Sequence, residues 1–368
     1  MTNEARDAGA GAVAAGGPGT VGGPVYVGGL DRSGKTTMSA ILTSHPDLAI
    51  PGVGTNLWTY FHRRYGDLAR PEHFERCLAA MLRYKHVRYL EPDPDRIRRE
   101  FRAGEPTYAR LFALPLAHYA QRHGKPRWGA QTGLIERDAE LLLAAHPDLR
   151  IVHLLRDPRD RYEASLARWP DGRGRAGGAV ARWRYSTGLA QRHVANHPDR
   201  YLVVRFEDLV CEPEATVRTV CDFLGLTYLP SMLRMTEAPT LVAKLVAGGG
   251  RPAGDGPAGG LLSTAQLGRH RGRLDPAELA FVQRYAGAMM RRHGYEPEPL
   301  ALTTRQRLRF ALVDEPDQLA RMAAWRLVEE LQQRFPRAVP RRPGTRMVAP
   351  APAPSAASGP VAVPEDRS

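Results

Sequence analysis

Hydrophobic and polar positions along this chain alternate between two periods. Val25-Tyr26-Val27 is a short apolar run that ends in Gly28-Gly29, and Met38, Ile41 and Leu42 then recur at helical spacing. The first ordered unit therefore reads as strand, glycine loop and helix, the helix over about 35–43. His45-Pro46-Asp47 breaks it, Leu48-Ala49-Ile50 suits a short strand, and Pro51-Gly52-Val53-Gly54 turns the chain. Apolar residues at helical spacing predict helices at about 56–66, 72–87, 94–103 and 107–122, a block expected over one face of a sheet. Residues 127–132 read as extended and 134–146 as helical. Arg150-Ile151-Val152-His153-Leu154-Leu155 and Tyr201-Leu202-Val203-Val204-Arg205-Phe206 are continuous apolar runs of the kind buried in parallel sheets. Helices at 158–168, 179–196 and 213–224 separate or follow them, the first with Asp157 as cap and Pro158 in its first turn.

This alternation predicts an α/β fold of three layers, with a central parallel sheet and a helical cover. Residues 236–268 are glycine-rich without periodicity, which predicts a lid or a disordered segment, before a helix at 275–293. An amphipathic stretch at 302–335, with Leu319, Met322, Ala323, Trp325, Leu327 and Leu331, predicts a docked C-terminal helical extension. The expected organisation is a main domain over 24–300 and the extension over 301–335. Residues 1–23 and 336–368 are too rich in Gly, Ala and Pro to offset ordering entropy and are expected to be disordered.

The chemistry concentrates where the first strand turns. Gly29, Gly34, Lys35 and Thr36 satisfy G-x-x-x-x-G-K-[ST], the phosphate-cradling P-loop spacing, in which backbone N–H groups and a helix N-terminus face an anion. Arg156 ends the strand at 150–155, and ligands of open α/β sheets gather at such carboxyl ends. Gly268-Arg269-His270-Arg271-Gly272-Arg273 adds a basic loop suited to clamping an anion.

The formal charge of +13 is almost wholly arginine, because lysine occurs only at 35, 85, 125 and 244. No basic stripe interleaves with aromatics, so small polyanions are expected rather than nucleic acid. Cys77, Cys211 and Cys221 have no metal-ligand or disulfide spacing and are expected as buried free thiols. The N-terminus carries Glu4 and Asp7 without the basic and apolar regions of a signal peptide, and no stretch reaches the length of a membrane span. The cytoplasm is the expected compartment.

Four stretches together resemble the bacterial P-loop sulfotransferases that use 3′-phosphoadenosine 5′-phosphosulfate (PAPS). Gly29-Leu30-Asp31-Arg32-Ser33-Gly34-Lys35-Thr36-Thr37 is similar to that family's 5′-phosphosulfate loop, with His45-Pro46-Asp47 one helix later. The segment from Val152 through Arg156-Asp157-Pro158 to Ser165 resembles its 3′-phosphate segment. Arg205-Phe206-Glu207-Asp208-Leu209 with Phe223-Leu224-Gly225, and Gly268 to Gly272, complete the set.

The resemblance implies transfer of a sulfuryl group from PAPS to a hydroxyl or amine of a small-molecule or carbohydrate acceptor, without a metal. It implies Arg32 and Lys35 as the catalytic cations, and Ser33, Gly34, Thr36 and Thr37 around the 5′-phosphate. Arg156 would take the 3′-phosphate, assisted by Ser165, Arg269, Arg271 and Gly272. The chain departs from the family at Lys35, where threonine is usual, and at Ser165, one position later than the usual serine. Gln131 replaces a lysine, and no carboxylate stands at 51–56, where some members carry a catalytic glutamate. His62, Asp67, His73 and His118 are candidate substitute bases. Two alternatives remain open at this level: a P-loop kinase or NTPase using Mg-ATP, and a non-catalytic nucleotide- or carbohydrate-binding relative. The sequence leaves the oligomeric state open.

Overall fold

The structure, a computed structural model, describes residues 22–169, 175–247 and 262–336. Five strands, β1 (Val25–Gly29), β2 (Leu48–Ala49), β3 (Arg127–Gln131), β4 (Arg150–Leu155) and β5 (Tyr201–Arg205), form one sheet in the order β2-β3-β1-β4-β5. All its pairings are parallel, so every strand's carboxyl end lies on the same rim. The register sets Val27 beside Gln131, Gly29 beside Leu154, and Leu155 beside Arg205. That rim is where the glycine loop, Arg156 and Phe206 leave the sheet.

Helix α1 (Lys35–Thr43) follows the loop. The block over 56–122 folds into α2 (Leu57–Phe61), α3 (Pro71–Arg83), α4 (Lys85–Arg88), α5 (Pro94–Arg102) and α6 (Tyr108–Arg122). Next come α7 (Ala139–Ala145), α8 (Pro158–Arg168), α9 (Arg175–Asn196), α10 (Phe206–Cys211), α11 (Pro213–Leu224) and α12 (Pro239–Ala247). The described residues close with α13 (Pro276–Arg292), α14 (Thr304–Arg309) and α15 (Glu315–Arg334), the last two joined by one π-helical turn.

Strand alternation sends successive side chains to opposite faces, and two separate cores result. Tyr26, Ala49, Trp128, Ala130 and Ile151 face the α2–α6 block. Val25, Val27, Leu48, Val152 and Leu154 face α1, α11 and α12. A third cluster under α8, α9, α13 and α15 is centred on Trp183 and Phe281. The block thus covers one face, as its periodicity predicts.

Several local expectations change. The helix expected at 72–87 breaks at Tyr84, whose backbone is extended (φ −78, ψ 124). The helix expected at 134–146 starts one residue later, after a left-handed Leu134 (φ 57), and splits at Asp138 (φ −108, ψ 8) into a 3₁₀ turn, Ile135–Arg137, and α7. Residues 239–247 of the glycine-rich stretch form α12, which anchors on α1 through buried Leu241. Within that stretch, residues 264–266 form a 3₁₀ turn, and only 248–261 lies outside the described residues, as do 1–21 and 337–368, on which the disorder expectations fall. Of the cysteines, Cys77 and Cys221 are buried, but Cys211 is exposed at the end of α10. No helix of the described residues is long and apolar enough to cross a membrane.

The C-terminal extension docks on α9. A Cβ at Gly177 would lie 2.0 Å from the Gln318 carbonyl oxygen, so only glycine permits this crossing. The Gly177 N–H also donates to Gln318 Oε1 at 2.8 Å, and Arg137 pairs with Glu329 at 2.9 Å. Met322 and Trp325 face inward, whereas Leu327 and Leu331 of the predicted apolar stripe are exposed.

Candidate nucleotide and transfer site

The loop between β1 and α1 has a backbone that its sequence demands. Gly29 and Gly34 have φ of 104 and 96, and a Cβ at either would collide, with the Leu154 carbonyl oxygen at 2.3 Å and the Phe206 ring at 2.4 Å. Arg32 takes a left-handed conformation (φ 67), which a non-glycine residue adopts only when its surroundings enforce it. Arg156 reaches this turn, its Nη1 donating to the Arg32 carbonyl at 3.1 Å. Ser33 and Thr37 are buried in the loop and first helical turn, and half-buried Thr36 accepts a hydrogen bond at 3.3 Å from the Gln131 amide.

Lys35 is buried rather than directed to solvent. Its ammonium donates to the carbonyls of Gly29 and Leu30 at 2.8 and 2.6 Å, folding back beneath the loop it follows. Burial pulls its pKa down to about 8, against the attraction of Asp31 and Glu136. Burial alone would raise the Asp31 carboxyl, but Arg161, at 2.9 Å, together with Lys35 and Arg182 holds it well below the usual carboxylate range. The loop therefore presents backbone N–H groups and cations while its one carboxylate is already paired.

Arg156 is 3% exposed. Its Nη2 donates to the Gln266 carbonyl at 2.7 Å, its guanidinium lies 4.6 Å from the Phe206 ring centroid, and its own carbonyl accepts from Trp183 Nε1 at 2.9 Å. The late basic loop is fixed from α8. Asp160 accepts from the backbone N–H of Gly268 and of His270 at 2.7 and 3.0 Å, and meets His270 Nδ1 at 2.6 Å. This brings Arg269 into the electrostatic neighbourhood of Arg32 and Arg156. Burial lowers the pKa of Arg32 and of Arg156, and Arg269 pushes each down further. Arg32 Nε and Arg156 Nε are buried without a hydrogen-bond partner. Arg269 is itself paired with Glu163 at 3.2 Å. Three guanidiniums that repel one another, two with idle buried donors, fit an anion bearing several oxygens.

Other expected residues are placed differently. Ser165 faces Asp31, Arg161 and Arg182 between α8 and α9, and its buried Oγ has no partner. It shares the face of Arg161, one helical turn earlier, because position 165 is rotated ~100° from position 164. Arg271 is 70% exposed and pairs with Glu298, while Gly272 (φ 68) turns the chain into α13. Asp157, the carboxylate a magnesium site would call on, caps the Arg159 N–H at 2.8 Å and pairs with the Arg159 guanidinium at 2.7 Å.

Phe206 and Gln131 belong to the site without having been singled out for it. Phe206 is the only residue touching both Gly34 and the Arg156 guanidinium among the contacts above, and its signals in sequence were its place directly after a buried strand and within the Arg205–Leu209 stretch of the resemblance. Of the candidate bases, His118 is buried against Glu100 at 2.8 Å, His73 and Asp67 meet each other at an exposed turn, and His62 pairs with Asp138 at 2.9 Å.

Residues 24–230 match the model of the sulfotransferase family, more than half of the chain. The chain belongs to the sulfotransferase family. Among solved structures, the sulfotransferase domain of the Synechococcus PCC 7002 olefin synthase is similar at 21% identity and a TM-score of 0.51, covering 77% of this chain and 98% of that one. The sulfotransferase domain from the curacin biosynthetic pathway matches at 16% identity and a TM-score of 0.48, covering 76% and 99%. Sulfotransferase STF9 from Mycobacterium avium matches at 17% identity and a TM-score of 0.37, covering 77% and 79%. A search of curated proteins finds no match. In this sulfotransferase the match takes in the glycine loop, Arg156 and Phe206, whereas the late basic loop and the C-terminal extension lie beyond it.

Proposed function

We propose that this sulfotransferase moves the sulfuryl group of PAPS to a hydroxyl or amine of a small-molecule or carbohydrate acceptor. The observation that carries the reading is the convergence of Arg32, Arg156 and Arg269 around the glycine loop, with the Nε groups of Arg32 and Arg156 buried and unpartnered. PAPS supplies a sulfuryl group on a phosphate leaving group, a bond whose cleavage places negative charge on the bridging oxygen. The loop N–H groups with Thr36 and Thr37 hold the 5′-phosphate, Arg32 and Lys35 meet the developing charge, and Arg156 with Arg269 takes the 3′-phosphate. Asp157 is committed to α8 and Arg159, which disfavours a magnesium-dependent kinase. The reading places the protein in the cytoplasm, which its three free thiols support.

Calorimetry tests the reading directly. Adenosine 3′,5′-bisphosphate (PAP) should bind roughly tenfold to a hundredfold more tightly than adenosine 5′-phosphate, the worth of one charge-assisted bidentate contact. Equal affinities, with strong binding of ATP and Mg²⁺, would overturn it.

A further inference from the structure

No carboxylate stands at 51–56, yet the structure brings another proton acceptor to that loop. The break at Tyr84 separates α3 from α4 and turns the first residues of α4 toward the segment after β2. There His86 Nδ1 lies 2.6 Å from the Gly54 carbonyl oxygen and 3.0 Å from the Tyr84 hydroxyl. A carbonyl only accepts, so Nδ1 carries the hydrogen, and the neutral ring has its lone pair on Nε2. Among the described residues Nε2 has no hydrogen-bond partner, and the ring is only half buried.

Short contacts tie this ring to the transfer site. A Cβ at Gly54 would lie 3.4 Å from the Gln131 carbonyl oxygen, and the Gln131 amide donates to Thr36 in the glycine loop. Asn56 fastens the same segment through its side-chain oxygen to Thr132 and the Gly133 N–H at 3.2 and 3.3 Å. From the other side α12 closes on it, with Lys244 donating to the Gly52 carbonyl and Thr240 packed on Gly52. His62 is already engaged: its ring lies against Trp58 and Tyr108 and is paired with Asp138.

We propose that His86 is the general base of the transfer, taking the acceptor's proton on Nε2. This rests on the reading above. The acceptor oxygen forms its bond to sulfur as its proton passes to Nε2. The bond between sulfur and the bridging oxygen breaks, with its electron pair left on the 5′-phosphate. The products are the sulfate ester, PAP and a proton that His86 releases to water. Burial lowers the His86 pKa, and Lys85 and Lys244 lower it further while the Gly54 carbonyl opposes them, so the ring is neutral and able to accept at pH 7. Besides the two lysines, the ionisable group facing the ring is Tyr84, itself held neutral by burial.

The test is His86→Asn, whose amide can still donate to Gly54 but offers nothing at Nε2. Wild-type protein and variant are compared for PAP affinity, melting temperature, and turnover of PAPS to PAP and sulfate with water as acceptor. The expected result is unchanged affinity and melting temperature with at least about tenfold slower turnover, and loss of the acidic limb of the pH profile. Nitrogen NMR of the wild type should show hydrogen on Nδ1 and none on Nε2 at pH 7. Equal turnover of the two proteins, a hydrogen on Nε2, or loss of turnover in His62→Asn instead would overturn the assignment. Failure of the wild type to bind PAP would instead overturn the functional reading on which it rests.

Discussion

The Arg156 guanidinium donates to the Arg32 carbonyl at 3.1 Å, across 124 positions of sequence. The residue assigned to one end of the nucleotide therefore also fixes the backbone at the other end, at the left-handed position of the glycine loop. Substituting it acts in two places. Arg156→Ala is expected to weaken PAP binding by roughly tenfold to a hundredfold, the range for a charge-assisted bidentate contact. It should also weaken adenosine 5′-phosphate, which lacks the 3′ group, by a smaller factor through the loosened loop. Calorimetry with both nucleotides separates the two effects, and an unaltered adenosine 5′-phosphate affinity would show that the loop holds its shape without Arg156.

Lys35 is buried beneath the loop with its ammonium on two carbonyls, so its charge is both useful and costly. Lys35→Thr restores the usual family residue and should slow sulfuryl transfer by at least about tenfold, or ~1.4 kcal/mol of barrier, with PAP affinity nearly unchanged. Stability should respond to pH with a definite sign. The native lysine titrates at about 8 against an ordinary 10.5, so between those values the unfolded chain binds more protons than the folded one. The contribution of Lys35 is therefore complete above about 10.5 and is lost as pH falls through about 8. Melting temperatures of wild type and Lys35→Thr should diverge in favour of wild type as pH rises through that window. A difference that stays constant with pH would contradict the buried ammonium.

Asp160 holds the late basic loop through two backbone N–H groups and His270. Burial would raise its pKa, but the His270 bond and the backbone donors lower it overall. The stability it contributes is present above the usual aspartate pKa and lost as pH falls through the lower native value. Asp160→Ala should release the loop carrying Arg269, reduce PAP affinity about tenfold and leave adenosine 5′-phosphate affinity nearly unchanged, because the lost cation serves the 3′ end. Calorimetry would refute this by showing both nucleotides weakened equally.

Much of this molecule was legible in one dimension. Buried parallel strands are continuous apolar runs, and the glycines at 29 and 34 are needed for a local reason, positive φ, that leaves a spacing in the sequence. The P-loop, Arg156 at a strand's carboxyl end and the α/β alternation follow from such local rules. The partnerships followed from none of them. Phe206 enters the site because parallel strands align their carboxyl ends and set β5 beside β4, and Ser165 leaves Arg156 because helical rotation carries it to Asp31. His86 reaches Gly54 across 32 positions because Tyr84 leaves helical geometry. Lys35 folds under its own loop because two carbonyls within 3 Å hold its ammonium against the desolvation cost of burial, a partnership its position in a first helical turn does not show. Sequence encodes periodicity and backbone tolerance residue by residue, whereas which side chains share a dielectric and a hydrogen bond is set only when distant segments pack.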